Sequence, residues 1–291
     1  MLRCVLGCSL LLAAAAAAAG GAALFEQGRY AQARTALEAE LRADPDAPHL
    51  HYYLGRTCFE LRDLDCALKQ LETAARRAPK EARVHYWLAR AYGADARTAG
   101  PLRQAWLAVR VRRELERAVT LDPDHLDARM GLAGYYLEAP SLLGGGIEHA
   151  RREAREILVR DPFRGRLLMA RIHLRAGRAA AAESIYRALE HEAGDGDPRH
   201  AAELFGDYGV FLLERGRYAE AIVRLRRQVG LDADDAQARM RLGDAYRGAG
   251  YRGAARDAYR TAARLDPRLP GLDRRLRAMR SDTESGNAPE P

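Results

Sequence analysis

Arginine, histidine, cysteine and glycine are the residues of this 291-residue chain whose types could support chemistry, and their spacing rules most of it out. His49 and His51 are two apart, so on a helix they point in different directions, and no third ligand is placed to close a metal site around them. The serines beyond the N-terminus, Ser141, Ser184, Ser281 and Ser285, sit in no nucleophile elbow, and neither Cys-x-x-Cys nor His-Glu-x-x-His occurs. Gly144, Gly145 and Gly146 lead into a helix expected near Ile147, a place where backbone amides can cradle a phosphate. The Gly-Lys-Ser/Thr of a nucleotide loop is missing, and the glycines also read as a long structural turn beside Leu142 and Leu143. No catalytic residue, metal or cofactor is expected. The chemistry that remains is recognition, through arginines that can make charge-assisted hydrogen bonds.

The formal net charge of +7 is carried almost wholly by arginine, since Lys69 and Lys80 are the only lysines. Asp and Glu are interspersed throughout and no long basic run occurs, so a nucleic-acid partner is not expected. With 48% hydrophobic and 30% charged residues, the composition is that of a folded helical chain and not of a disordered one.

The elements that must position those arginines come in copies. Gly28-Arg29-Tyr30-Ala31-Gln32-Ala33 returns as Gly216-Arg217-Tyr218-Ala219-Glu220-Ala221, with looser copies from Gly177 and Gly250. A glycine followed five positions later by alanine describes a tight turn between two helices that press closely together. Reading outward, one unit runs through Leu242, Gly243, Tyr246, Gly250, Ala255, Tyr259, Ala262 and Pro267. Others run through Leu54, Gly55, Cys58, Ala67, Leu71, Ala74 and Pro79, and through Leu88, Ala89, Tyr92, Leu115, Ala118 and Pro123. Small residues let the paired helices approach, Leu and Tyr at helical spacing fill the seam, and proline ends the second helix.

This pattern resembles the tetratricopeptide repeat, a helix-turn-helix unit of about 34 residues, over roughly residues 24 to 267. The resemblance implies an all-α fold: a right-handed α-solenoid of about six to seven helical hairpins, stabilised by stacking of neighbours. His51, His85, Arg129, Arg166, Phe205 and Arg239 stand where the family usually has tryptophan. Insertions are expected around Ala94 to Pro101 and Ala139 to Gly146, and an exposed linker from His191 to Pro198. The solenoid is expected to span residues 24–280, ending in a capping helix over Leu272 to Arg280 with Leu272, Leu276 and Met279 inward. Residues 281–291 read as a disordered tail.

Arg3 followed by the apolar, alanine-rich run from Leu10 to Ala19 and small residues to Ala23 reads as a secretory signal peptide over residues 1–23. The alternative is that these alanines supply the missing first helix of repeat one. The run is short for a permanent anchor, so no transmembrane span is expected after cleavage. Composition and leader together point to a bacterial chain exported to the periplasm or secreted. Cleavage removes Cys4 and Cys8 and leaves Cys58 and Cys66, on either side of one turn. In an oxidising compartment an even pair favours a disulfide, with two buried free thiols as the other reading.

In the family, ligand contacts come from the first helix of each repeat. The resemblance therefore implies a partner-binding groove holding Tyr52, Arg56, Phe59, Tyr86, Arg90, Met130, Leu137, Leu167 and Arg171, with Leu174, Val210, Leu213, Met240 and Arg247 further along. Arginines between aromatic and aliphatic side chains suit a protein or peptide partner with acidic groups or a free carboxylate; the other reading is a solvated helix face. Asn287 is the only asparagine, so neither the carboxylate clamp nor the asparagine ladder of some family members has residues here. The expected function is a non-catalytic binding scaffold of the cell envelope; the alternative is an accessory subunit of an envelope polysaccharide or lipid export machine. Because Arg56 and Arg90 fill no expected seam, replacing both is expected to leave the fold unchanged.

Overall fold

The computed structural model describes residues 20–193 and 197–285, with side chains described as far as Met279. Residues 1–19, which carry most of the expected leader, and 194–196 and 286–291 lie outside the described residues. Among the described residues there are fifteen α-helices, one short 3-10 turn and no strand. The chain divides into two compact units, the first through Arg160 and the second from Asp161 onward.

The first unit contains α1 (Gly21–Glu26), α2 (Tyr30–Ala43), α3 (Pro48–Glu60), α4 (Leu64–Arg77), α5 (Ala82–Ala96), α6 (Pro101–Leu121), α7 (Leu126–Glu138), a 3-10 turn (Ser141–Leu143) and α8 (Ile147–Arg160). The second contains α9 (Pro162–Arg175), α10 (Ala179–Glu192), α11 (Pro198–Glu214), α12 (Tyr218–Leu231), α13 (Ala236–Gly248), α14 (Arg252–Leu265) and α15 (Leu272–Ser285). Consecutive pairs form seven antiparallel hairpins, and α15 follows the last. Leu272 and Met279 are buried against Met240, Ala255, Tyr259 and Ala262, with Leu276 packed alongside. The helix runs on to Ser285, five residues past the end expected.

Five of the seven second helices carry the same stripe of buried residues at i, i+4 and i+7, among them Ala67, Leu71 and Ala74 on α4, Ala182, Tyr186 and Leu189 on α10, and Ala255, Tyr259 and Ala262 on α14. That spacing keeps one face inward. The first helix meets it through a glycine sixteen positions upstream of the large residue. A Cβ at Gly21 would overlap Leu37, at Gly55 Leu71, at Gly209 Leu225 and at Gly243 Tyr259. Gly21 therefore belongs to repeat one: it is buried, and its amide donates to Glu40 Oε1 at 2.7 Å. The folded chain thus begins at or before residue 20, ahead of the boundary at 23 and 24 read from sequence.

Helix ends follow from local chemistry. Asp63, Asp161 and Asp235 cap α4, α9 and α13 by accepting the amide of the residue three further on. Proline begins α3, α6, α9 and α11, where its missing N–H costs nothing. The hairpin turns pass through left-handed backbone at Gly28, Gly177, Gly216 and Gly250, with φ from 69° to 84°. In repeat two the same place is held by Arg62 at φ 60°.

Four of the six positions where the family usually has tryptophan serve as polar staples. His51, His85, Arg129 and Arg239 each reach a backbone carbonyl six residues upstream, those of Pro45, Pro79, Pro123 and Ala233. Three of them also bind the following second helix, through Gln70, Glu114 and Glu153.

Candidate functional site: the arginine and aromatic face of the first unit

The 34-residue repeat places like on like along the first helices. Phe25 and Phe59, Tyr52 and Tyr86, Tyr53 and Trp87, and Arg56 and Arg90 are pairs one repeat apart. Within a helix, Tyr52 and Arg56, or Tyr86 and Arg90, lie one turn apart on one face. Each arginine then stacks on the phenylalanine of the preceding repeat: the Arg56 guanidinium carbon is 4.2 Å from the Phe25 ring centre and that of Arg90 is 5.0 Å from Phe59. Trp87 joins the two copies. It lies 4.7 Å from Arg56 and 4.2 Å from Arg90, and meets Phe59 edge-on at 5.6 Å.

The two arginines differ in what is left over. Arg56 is enclosed by Phe25, Tyr52, Tyr53 and Trp87, and its side chain is 18% exposed. It donates to the Tyr52 hydroxyl at 3.3 Å and lies 3.7 Å from a Glu26 carboxylate oxygen, while its Nε is buried without a partner. Burial pushes the Tyr52 phenol up, which keeps it neutral. Arg56 therefore fills the seam between α1, α3 and α5, contrary to the expectation that it stands clear of one. Arg90 is exposed, and no carboxylate among the described residues pairs with it. The cause lies in the next repeat, where Gly131 stands in the place of Trp87 and leaves the outer side of Arg90 uncovered. A guanidinium held over an indole keeps N–H groups free to grip a carboxylate, with two parallel hydrogen bonds where the fork is open.

The other expected site residues fall differently. Tyr52 is 5% exposed and acts from beneath, positioning Arg56. Phe59 and Tyr86 are half-buried beside Arg90, and Met130 and Leu137 are half-buried on α7. Leu167 is 0% exposed and Met240 4%; both sit in the core of the second unit, because those positions on α9 and α13 face a neighbouring helix, and neither can contact a partner. Arg171, also in the second unit, is bound by the Asp207 carboxylate. Sequence reasoning overlooked Trp87, Phe25 and Tyr53. The signal was there, since each is one repeat from an aromatic partner.

Two further sequence features have a structural setting. The amides of Gly144, Gly145 and Gly146 already donate to the carbonyls of Ser141, Pro140 and Tyr136, so none is left for a phosphate. The Cys58 and Cys66 sulfurs lie 2.04 Å apart and their Cα atoms 5.8 Å apart, across the turn between α3 and α4, a geometry that suits a disulfide. The Asp63 carboxylate is near both sulfurs, but it caps Cys66 and binds Arg34 at 3.0 Å.

Models of the tetratricopeptide repeat match residues 24–92, 167–228 and 236–269. The chain belongs to the tetratricopeptide repeat family. No curated protein matches the sequence. Among solved structures, it is similar to a tetratricopeptide repeat protein from Parabacteroides merdae, at 16% identity and a TM-score of 0.67, covering 88% of this chain and 94% of that one. It is also similar to yeast Tom70, at 14% identity and a TM-score of 0.62, over 88% of this chain and 52% of that one. A further likeness is to the APC/C hetero-tetramer Cut9-Hcn1, at 11% identity and a TM-score of 0.59, over 89% and 48% of the two chains. The chain thus spans about half the length of these last two. At such identities the likeness concerns the tetratricopeptide fold alone.

Proposed function

We propose that this tetratricopeptide repeat protein is a non-catalytic scaffold of a bacterial cell envelope, and that the first-helix face of its first unit holds a peptide segment carrying an acidic side chain or a free carboxylate. The observation that carries the reading is Arg90, an exposed guanidinium stacked on Trp87 with no carboxylate of its own among the described residues. Phe59 and Tyr86 beside it offer apolar slots, and Arg56 beneath Trp87 holds the platform in place. A partner would supply one carboxylate to Arg90 and apolar side chains to the rings on either side. Arg3 and the apolar, alanine-rich run from Leu10 to Ala19 support export.

The test is affinity selection of a random peptide library against the wild-type chain and against Arg90→Ala. Selected sequences are expected to carry Asp, Glu or a terminal carboxylate beside apolar residues, and to be lost with Arg90→Ala. Selection of sequences without acidic groups, or selection indifferent to Arg90, would remove this face from consideration.

A further inference from the structure

We propose that the protruding end of the third hairpin, together with the neighbouring 3-10 turn, is a docking surface for a membrane bearing anionic headgroups. The second helices of the other hairpins described here are 14 residues long, whereas α6 has 21. The seven extra residues add about 10 Å, or two turns. That extension carries Leu102 and Trp106, and with Val109 just beyond it they stand at i, i+4 and i+7 on one side of the helix, 91%, 51% and 42% exposed. Leu142, on the 3-10 turn, is 93% exposed. Pro101 and Leu143, the immediate neighbours of the two leucines, line one open cavity of about 430 Å³, so both tips border the same patch.

Charge decides the occupant. From Ala96 to Arg113 the chain has five arginines and no acidic residue, and the 3-10 turn through Gly146 has no charge at all. Arg103 is held by Asp95 at 2.7 Å and Arg110 stacks on Trp106 at 4.3 Å, while Arg97 and Arg113 have no carboxylate partner among the described residues. Leucines standing nearly free on two projecting tips have no facing wall among the described residues to bury them, whereas a lipid interface accepts such tips without a shaped pocket. Trp106 lies one turn along the helix from Leu102 and one turn before Arg110, an order of apolar, aromatic and cationic groups that suits a bilayer interface. No helix among the described residues is long and apolar enough to cross a membrane, so α6 would lie on the surface.

Flotation of the full chain, as recovered from cells, with vesicles of phosphatidylcholine alone and vesicles containing about 30% phosphatidylglycerol tests this. An uncleaved leader, apolar and carrying Arg3 and the terminal ammonium, would add its own anionic preference, so the readout is that preference compared between wild type and variants bearing the same N-terminus. Wild-type protein is expected to favour the anionic vesicles by about tenfold or more, on the combined apolar and cationic contributions. Leu102→Ser with Leu142→Ser, and separately Arg97→Glu with Arg113→Glu, should each abolish that preference without loss of helicity. Equal binding to both vesicles, or an equal loss from Arg226→Glu with Arg256→Glu in the second unit, would overturn the proposal. So would protection of Trp106 by an acidic protein in place of anionic vesicles.

Discussion

Arg56 and Arg90 are the same residue of successive repeats, and their neighbours give them different work. Arg56 lies under Trp87 and over Phe25 with its Nε buried, so its removal takes away cation–ring attraction and the packing of its stem. Arg56→Ala should destabilise the first unit by about 1–3 kcal/mol, read as a lowered denaturation midpoint. Arg90→Ala should leave that midpoint nearly unchanged and cost about 1.5–3 kcal/mol in binding of an acidic peptide if the contact is desolvated. The two variants separate the platform from the contact, which the double replacement would have merged. At Arg62, left-handed backbone on a side chain with a Cβ stores about 1 kcal/mol or more. Arg62→Gly should therefore be neutral or mildly stabilising, by thermal melting, where an ordinary helix-flanking Gly substitution would destabilise.

At the scale of elements, most of the architecture was legible. The i, i+4, i+7 stripe and the small residue facing it name both members of each hairpin, and Asp caps with prolines mark their starts. The length of α6 was not legible, because an insertion at a hairpin turn reads as loop unless its residues are seen to continue the helical phase of Leu107 and Leu115. Trp87 escaped because ring stacking depends on which side chain arrives from the next repeat, and a pattern within one repeat holds no such information. The start of repeat one depends on Gly21, whose seat against Leu37 repeats that of Gly55 against Leu71. If the leader is cleaved, the mature N-terminus should lie at or before Gly21, by intact mass; a start at Ala22 or later contradicts that packing. The bridge between Cys58 and Cys66 closes a short loop, and a chain-entropy estimate gives it roughly 2–3 kcal/mol. Reduction should lower the melting point of wild-type protein and have no effect on Cys58→Ser with Cys66→Ser. Two thiols freely reactive after non-reducing denaturation would show that the bridge does not form. In the second unit, Arg217 bonds Glu183 and Glu220 and holds both carboxyls below their usual range. Their contribution is present above the unfolded carboxyl value and lost as pH falls through the lowered one. Arg217→Met should flatten the decline of stability on acidification, by well under 1 kcal/mol since the pairs are solvent-screened.

At the scale of the whole molecule, the family supplies a stack of hairpins and leaves recognition to whatever lines the first helices. Here the lining changes along the chain. The first unit offers aromatic rings and an open guanidinium, while in the second the matching arginine is bound to Asp207 and the matching leucine is in the core. On the reading proposed above, recognition of an acidic partner falls to the first unit. The most direct measurement is the affinity, by calorimetry, of one library-selected acidic peptide for wild-type protein, Arg90→Ala and Arg171→Ala. The account predicts a loss of about tenfold or more for Arg90→Ala and none for Arg171→Ala, the former from one charge-assisted contact. Equal affinity for wild type and Arg90→Ala, or a loss confined to Arg171→Ala, would contradict it.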